Sequence, residues 1–443
     1  MSPPEPASGS PVGRLGLAGA VILVAGNMIG SGVYLLPATL GTVGSISLIS
    51  WFVASGGALM LALVFGLLGV LRPKADGVVE YAGEALHPAL GHLSWFAYWL
   101  NLWIGTTAIA VAAVGYLAFF FPVLKAPTPA LLATLAALWL FSLANLVGPR
   151  LVARIGGATL VLGLAPILLA TGVGIVAFDS HIFEASWNVS GRPDGVAMSA
   201  AVTPVFWAFL GLESANVAAQ VIDNPRRNLP IAAVGGVLLA AIIYIVASVA
   251  VMGLLPAHEL AASTAPFADA IRRVAGPVAA GLVAFCAFSK ASGTLGGWIL
   301  LTAETGRAGV AAGFLPRFAS SSTTGGRATR DVLVAAALMT FATLASVSPT
   351  LGGQFAILIN VSVILSMILY LLCSVSLLRL ARELEDRRFR LGAQAAGLLG
   401  AGFCVWVMAT ADETLRVPTL IAVLASLILY TATTLARRRA AKP

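Results

Sequence analysis

Long apolar runs, each bounded by short polar stretches, recur along almost the whole chain. They fall near 15–41, 45–71, 90–121, 127–147, 150–178, 198–221, 229–254, 276–304, 330–347, 353–378, 391–410 and 417–436. At 1.5 Å per residue, a helix of about 20 residues crosses the roughly 30 Å of hydrocarbon in a bilayer. The pattern therefore predicts twelve transmembrane helices and an all-α integral membrane protein. Residues 1–13, MSPPEPASGSPVG, are rich in proline and serine and are expected to be a disordered tail. They have no basic stretch of their own, and the apolar run after Arg14 is too long for a signal peptide.

Composition sharpens this picture. Of the 443 residues, 59% are hydrophobic and 10% are charged, against about 25% charged in a soluble domain. So little charge cannot cover a water-facing surface, which excludes a soluble enzyme, a disordered chain and a nucleic-acid binder. The net charge of +8 is explained by topology. With the N-terminus in the cytoplasm, twenty Lys and Arg fall on the cytoplasmic side and five outside, with Lys290 inside a span. That bias places both termini in the cytoplasm. An odd number of spans would scramble it. The three cysteines, Cys286, Cys373 and Cys404, lie in apolar runs without metal-ligand spacing and are expected to be reduced core residues. No HExxH pair and no P-loop is present, so neither a metal nor a cofactor is expected.

Two spans contain breaks. The first reads VILVAGNMIGSGVYLLPA, with Gly26, Gly30 and Gly32 beside Asn27 and Ser31. Each glycine weakens a helix by about 1 kcal/mol, and opened backbone survives at mid-membrane only where it lines a cavity or protein interior. Close helix packing through small residues is the alternative reading. The sixth span, FWAFLGLESANVAA, sets Gly211 beside Glu213, a carboxylate costly at that depth unless it is paired, protonated or wet. The two breaks lie five spans apart. That spacing suits a five-plus-five inverted repeat, 14–178 and 198–378, followed by spans 11 and 12 (391–436) and a basic tail (437–443). Interrupted helices at matching places in two halves point to a transporter's binding site.

Six segments carry a resemblance: GNMIGSGVYLLPA, LNLWIGTTAIAVAAVGYLAFFFP, VGPRLVARI, FWAFLGLESA, NPRRNLPIA and GTLGGW. Together they resemble the amino acid–polyamine–organocation (APC) superfamily, and within it the basic amino acid/polyamine antiporter branch that includes arginine/agmatine exchange. The resemblance implies the LeuT-like APC fold with broken helices 1 and 6, alternating access, a bacterial inner membrane and a homodimer. It also implies a substrate pocket: Asn27, Ile29, Gly30, Ser31 and Gly32 for the amino acid carboxylate; Ala208, Leu210 and Gly211 for the ammonium; and Asn101, Leu102, Thr106, Trp207, Trp298 and Ser362 as walls. Trp207 and Trp298 act as aromatic gates in that scheme. Glu213 bridges two phenols, Tyr98 and Tyr370, in a gate on the cytoplasmic side.

The chain departs from the branch where specificity resides. Thr106 replaces an asparagine, Asn101 and Leu102 replace small and thiol residues, Ile109 replaces a methionine, and Val79 replaces a tyrosine linked to pH response. Arginine as cargo and a role in acid resistance are therefore not implied. Lys290, in FCAFSKASGTLGGW, stands four residues before Thr294 and eight before Trp298, on roughly one helix face. Its ammonium is expected to occupy the place of a coupling sodium and to bind span 1 carbonyls. A substrate counterion or a side chain reaching a watery vestibule are the alternatives. The expected function is an amino acid/amine antiporter working on small molecules in lipid, with no enzymatic activity. A proton-coupled or sodium-independent carrier of neutral amino acids is the alternative, and a channel a third reading.

Overall fold

A computed structural model describes residues 15–73, 75, 77–214, 222–316 and 329–440, without the side chains of 31, 149–151, 153, 155, 160, 161 and 438–440. The expected N-terminal tail lies outside the described residues, as do residues 441–443 of the basic C-terminal one. The described chain is helical, with one isolated bridge between Leu15 and Ile222. Ten helical segments are long and apolar enough to cross a membrane, so this is a membrane protein.

The first helix, α1 (Leu17–Met28), is short; α2 (Leu36–Gly41) resumes its run after a break. Next come α3 (Ser47–Leu71), a connector α4 (Glu80–Ala85) and α5 (Pro88–Phe120). Pro88 opens α5 where no N–H is needed, and the His87 ring accepts the Ala89 N–H. Then follow α6 (Pro127–Val147), α7 (Pro149–Leu162) and α8 (Leu164–Ala177). The fifth apolar run, expected as one helix, is thus notched at Gly163. After α9 (Ser180–Ala185) and α10 (Asp194–Phe206), the sixth run leaves helical geometry.

The second part holds α11 (Pro225–Met252), α12 (Ala257–Ala262) and α13 (Pro266–Ala311). α13 starts ten residues before the expected span and bends at Gly276, where φ is 81°. Last come α14 (Thr329–Ala345), α15 (Leu351–Leu380, capped by Thr350), α16 (Arg387–Thr410, capped by Asp386) and α17 (Arg416–Ala440).

Two groups of helices share the core. α11 packs on α1 and α3, with α10 against α3. α5 packs on α13 and α15, and α6 on α14. The α7–α8 pair touches both groups, through α13 and α11. The outer faces stay apolar: Val176, Val278 and Ile428 are 89%, 78% and 70% exposed. Apolar surface of that extent belongs in lipid. Cys373 and Cys404 are buried as expected, whereas Cys286 is half-buried.

Candidate functional site

The two breaks meet. Beyond Met28, Ile29 leaves helical geometry (φ −72°, ψ 71°). The Gly30 N–H turns back to Met28 O (2.6 Å), so the Gly26 carbonyl loses its helical donor. One tight turn, Ser31–Val33, follows. The Ser31 side chain lies outside the described residues. On the other segment, α10 passes into a turn at Trp207–Phe209, an extended Leu210, and Gly211 at φ 101°. Only glycine adopts that backbone without strain. A second turn, Leu212–Ser214, completes the crossing.

Side chains lock the breaks together. Trp207 Nε1 donates to Gly32 O (3.1 Å), and Asn27 Nδ2 donates to Ser214 Oγ (3.1 Å). Tyr244 OH, from α11, donates to Met28 O (2.7 Å). The Trp207 bond occupies a carbonyl of the first break, and the Tyr244 bond adds a second donor to a carbonyl that already accepts from Gly30.

Beside this junction lies a cavity of about 240 Å³. At about 30 Å³ per water, that is room for roughly eight water molecules or one small organic molecule. α1 and its break contribute Gly26, Asn27, Met28, Gly30, Gly32 and Val33; the other break contributes Trp207, Ala208 and Leu210. Across from them α13 presents Lys290, Gly293, Thr294, Gly297 and Trp298, with Ile109 and Gly156 completing the wall. The two indoles stand 6.3 Å apart at 46°. Both rest against Gly105 of α5, and Phe355 meets Trp207 edge-on at 6.4 Å.

An amino acid permease family model matches residues 15–434. The chain belongs to the amino acid permease family. It is 36% identical over 397 residues to the cadaverine/lysine antiporter of Escherichia coli (strain K12), covering 88% of each chain. It is 32% identical over 406 residues to the putrescine transporter PotE of Haemophilus influenzae, covering 90% of this chain and 92% of that one. PotE of Escherichia coli (strain K12) is 33% identical over 364 residues, 82% and 83% of the two chains. Membership makes the permease an amino acid/amine antiporter of that family and not an enzyme.

The structure sorts the residues read from the sequence into two sets. Asn27, Gly30, Gly32, Trp207, Ala208, Leu210, Trp298 and Lys290 all line the permease's cavity. Ile29 is buried in the first break, and Gly211 forms the second. Asn101, Leu102, Thr106 and Ser362 do not reach the cavity wall. Thr106 instead donates to Leu102 O (2.6 Å), one turn back, and sits 3.5 Å from the Thr302 hydroxyl. Ser362 donates to Asn101 O (3.4 Å), while the Asn101 Oδ1 is buried without a partner. An amide supplied to the cavity by Asn101 is therefore not what this arrangement holds.

The expected gate also needs correction. Glu213 Oε2 accepts from Tyr370 OH (2.6 Å) and from the Gly211 N–H (3.1 Å). Tyr98, half-buried, makes no hydrogen bond to it among the described residues. Glu213 thus has one phenol partner, and a backbone N–H at the second break takes the place expected for the other.

Lys290 faces the cavity with Thr294 and Trp298, as the helical spacing predicts. It is 8% exposed and makes no hydrogen bond or ion pair among the described residues. The bond to span 1 carbonyls is thus not formed. Its stem lies on the Gly163 notch, where a Cβ would sit 2.6 Å from Lys290 Cγ and 2.7 Å from Cδ. A side chain at 163 would push the lysine away. Gly156, Gly293 and Gly297 were not singled out as pocket residues, and small residues give little signal in a sequence; Thr294 was placed on the Lys290 face without a role of its own. The Thr294 Oγ1 is buried without a partner.

Proposed function

We propose that the permease exchanges a basic amino acid for a related amino acid or amine through the cavity at the two breaks, by alternating access. The observation that carries this reading is the junction itself. Freed backbone groups and two indoles converge on one cavity, where both described segments leave helical geometry. In this reading the N–H groups of residues 29–32, with Ser31, take the cargo's carboxylate, since backbone N–H groups favour anions. The carbonyls of Ala208 to Gly211 take the α-ammonium. The indole faces of Trp207 and Trp298 hold a cationic side chain, a contact of about 0.5–2 kcal/mol. Asn101, Leu102, Thr106 and Ser362 stand behind the indoles and form the pocket wall once those rings turn.

Opening to the cytoplasm breaks the Tyr370–Glu213 bond. Lys290 supplies a fixed positive charge beside the first break, so that exchange proceeds without sodium. The ten long helices, the broken first segment and α14 make twelve crossings, arranged as repeats over 14–178 and 198–378 with two further spans. The protein sits in a bacterial inner membrane with both termini cytoplasmic, as a homodimer. The relatives' names, which specify lysine, cadaverine and putrescine, support basic cargo.

Counterflow tests this reading. Proteoliposomes preloaded with lysine are expected to take up labelled lysine several times faster than empty ones, with or without sodium. Equal uptake by empty vesicles would mean a channel or uniporter; sodium dependence would remove the role given to Lys290.

A further inference from the structure

The cavity carries one charge, and it is positive. Among the described residues that line it, Lys290 is the single ionisable side chain, and no Asp or Glu accompanies it. Glu213, the carboxylate at the second break, is not in the wall and already accepts from Tyr370 and Gly211. A lysine buried without a counterion must find its negative partner elsewhere. The built polar complement beside it is the Thr294 hydroxyl, one turn on, buried and unpartnered. The ammonium suits a carboxylate and repels a second ammonium, and the hydroxyl one turn away can donate to the same carboxylate.

We infer that Lys290 is a charge filter, ranking cargo that bears a carboxylate above diamines of the same length. The inference rests on the cavity being the transport site. Lys290 and Trp298 are eight residues apart on one helix, about 12 Å along its axis. A molecule held in the cavity therefore shares it with the Lys290 side chain. An α,ω-diammonium alkane meets an uncompensated like charge there. An amino acid places its carboxylate against that charge and leaves its side-chain ammonium to the indoles. The Gly163 notch holds the lysine stem in place and keeps the charge from turning away.

Competition for labelled lysine exchange in proteoliposomes tests this, with unlabelled lysine, norleucine (a carboxylate, no side-chain ammonium) and cadaverine (no carboxylate) as competitors. The wild-type protein is expected to bind lysine and norleucine at least about tenfold more tightly than cadaverine. In Lys290→Met the preference should fall towards unity, while Lys290→Arg should keep it. Cadaverine competing as well as lysine in the wild type overturns the filter and leaves the antiporter reading intact. A preference that survives Lys290→Met overturns the assignment to this residue. Should Lys290→Met not fold, Lys290→Gln takes its place in the same competition, with the same loss of preference expected. Failure of folded wild-type protein to exchange lysine at all would instead sink the antiporter reading.

Discussion

Trp207 closes the cavity with its ring and binds the two breaks with its N–H, so one side chain serves both shape and strength. Trp207→Phe keeps most of the ring and deletes the donor to Gly32 O. A loss of about 1 kcal/mol is expected, read as a lower midpoint in thermal unfolding in detergent, together with a raised KM for uptake. Tyr370→Phe is expected to cost more. It leaves a buried carboxylate with a single backbone donor, and an unmet buried acceptor costs about 1–3 kcal/mol. Glu213→Gln should cost less than Tyr370→Phe, because the amide still accepts from the phenol; comparison of the two unfolding midpoints checks the order. At this scale the sequence was legible where a residue is out of place in lipid. Trp207, Glu213 and Lys290 announce themselves in apolar runs. Thr294 and Gly156 do not, since a small residue in a membrane helix reads equally well as packing. Asn101 and Thr106 were placed by likeness to other pockets, and the face of α5 that meets the cavity, at Ile109, is not written in any local pattern.

Among the elements, the breaks at 29–33 and 207–214 were visible because glycines beside polar residues interrupt otherwise uniform runs. The break at Gly211 depends on a backbone that an L side chain adopts at a cost of about 1–2 kcal/mol. Gly211→Ala is therefore expected to lower stability by that amount. It should slow exchange as well, because the Gly211 N–H is aimed at Glu213; initial uptake rate and unfolding midpoint should fall together. An uptake rate equal to wild type would show that the second break is not part of the moving machinery. The notch at Gly163 escaped the sequence reading. A lone glycine in TLVLGLAP carries no mark of its partner, and the partner lies on a helix more than a hundred residues away. The bend at Gly276 was hidden for a different reason: the residues before it, PFADAIRRVA, are too polar to read as part of a span.

Across the molecule, the apolar outer faces and the scarcity of charge tell one story, and the sequence told it fully. The ion pairs are a finer matter. Arg72, at the end of α3, donates to Glu84 of α4 and to Glu383 just beyond α15 (2.8 Å to the latter). These groups are a quarter to a half exposed, so the pairs contribute little to stability, below about 1 kcal/mol. Their position ties three elements at one end of the bundle, the end to which we assign the proposed Glu213–Tyr370 lid. Arg72→Gln is expected to leave the unfolding midpoint almost unchanged and to raise the reactivity of a cysteine placed beneath the lid towards a thiol reagent. Unchanged reactivity would confine the triad to a surface role.

Every residue in the cavity wall falls between positions 26 and 298. During synthesis, these residues have therefore been made while α14 to α17 still await translation, and Ser362 of α15, given to the wall once the indoles turn, follows later. Among the described residues α17 adds nothing to that wall and leans on α5 and α15. Variation within α17 is thus free to retune lipid company or assembly without rewriting what the chamber admits.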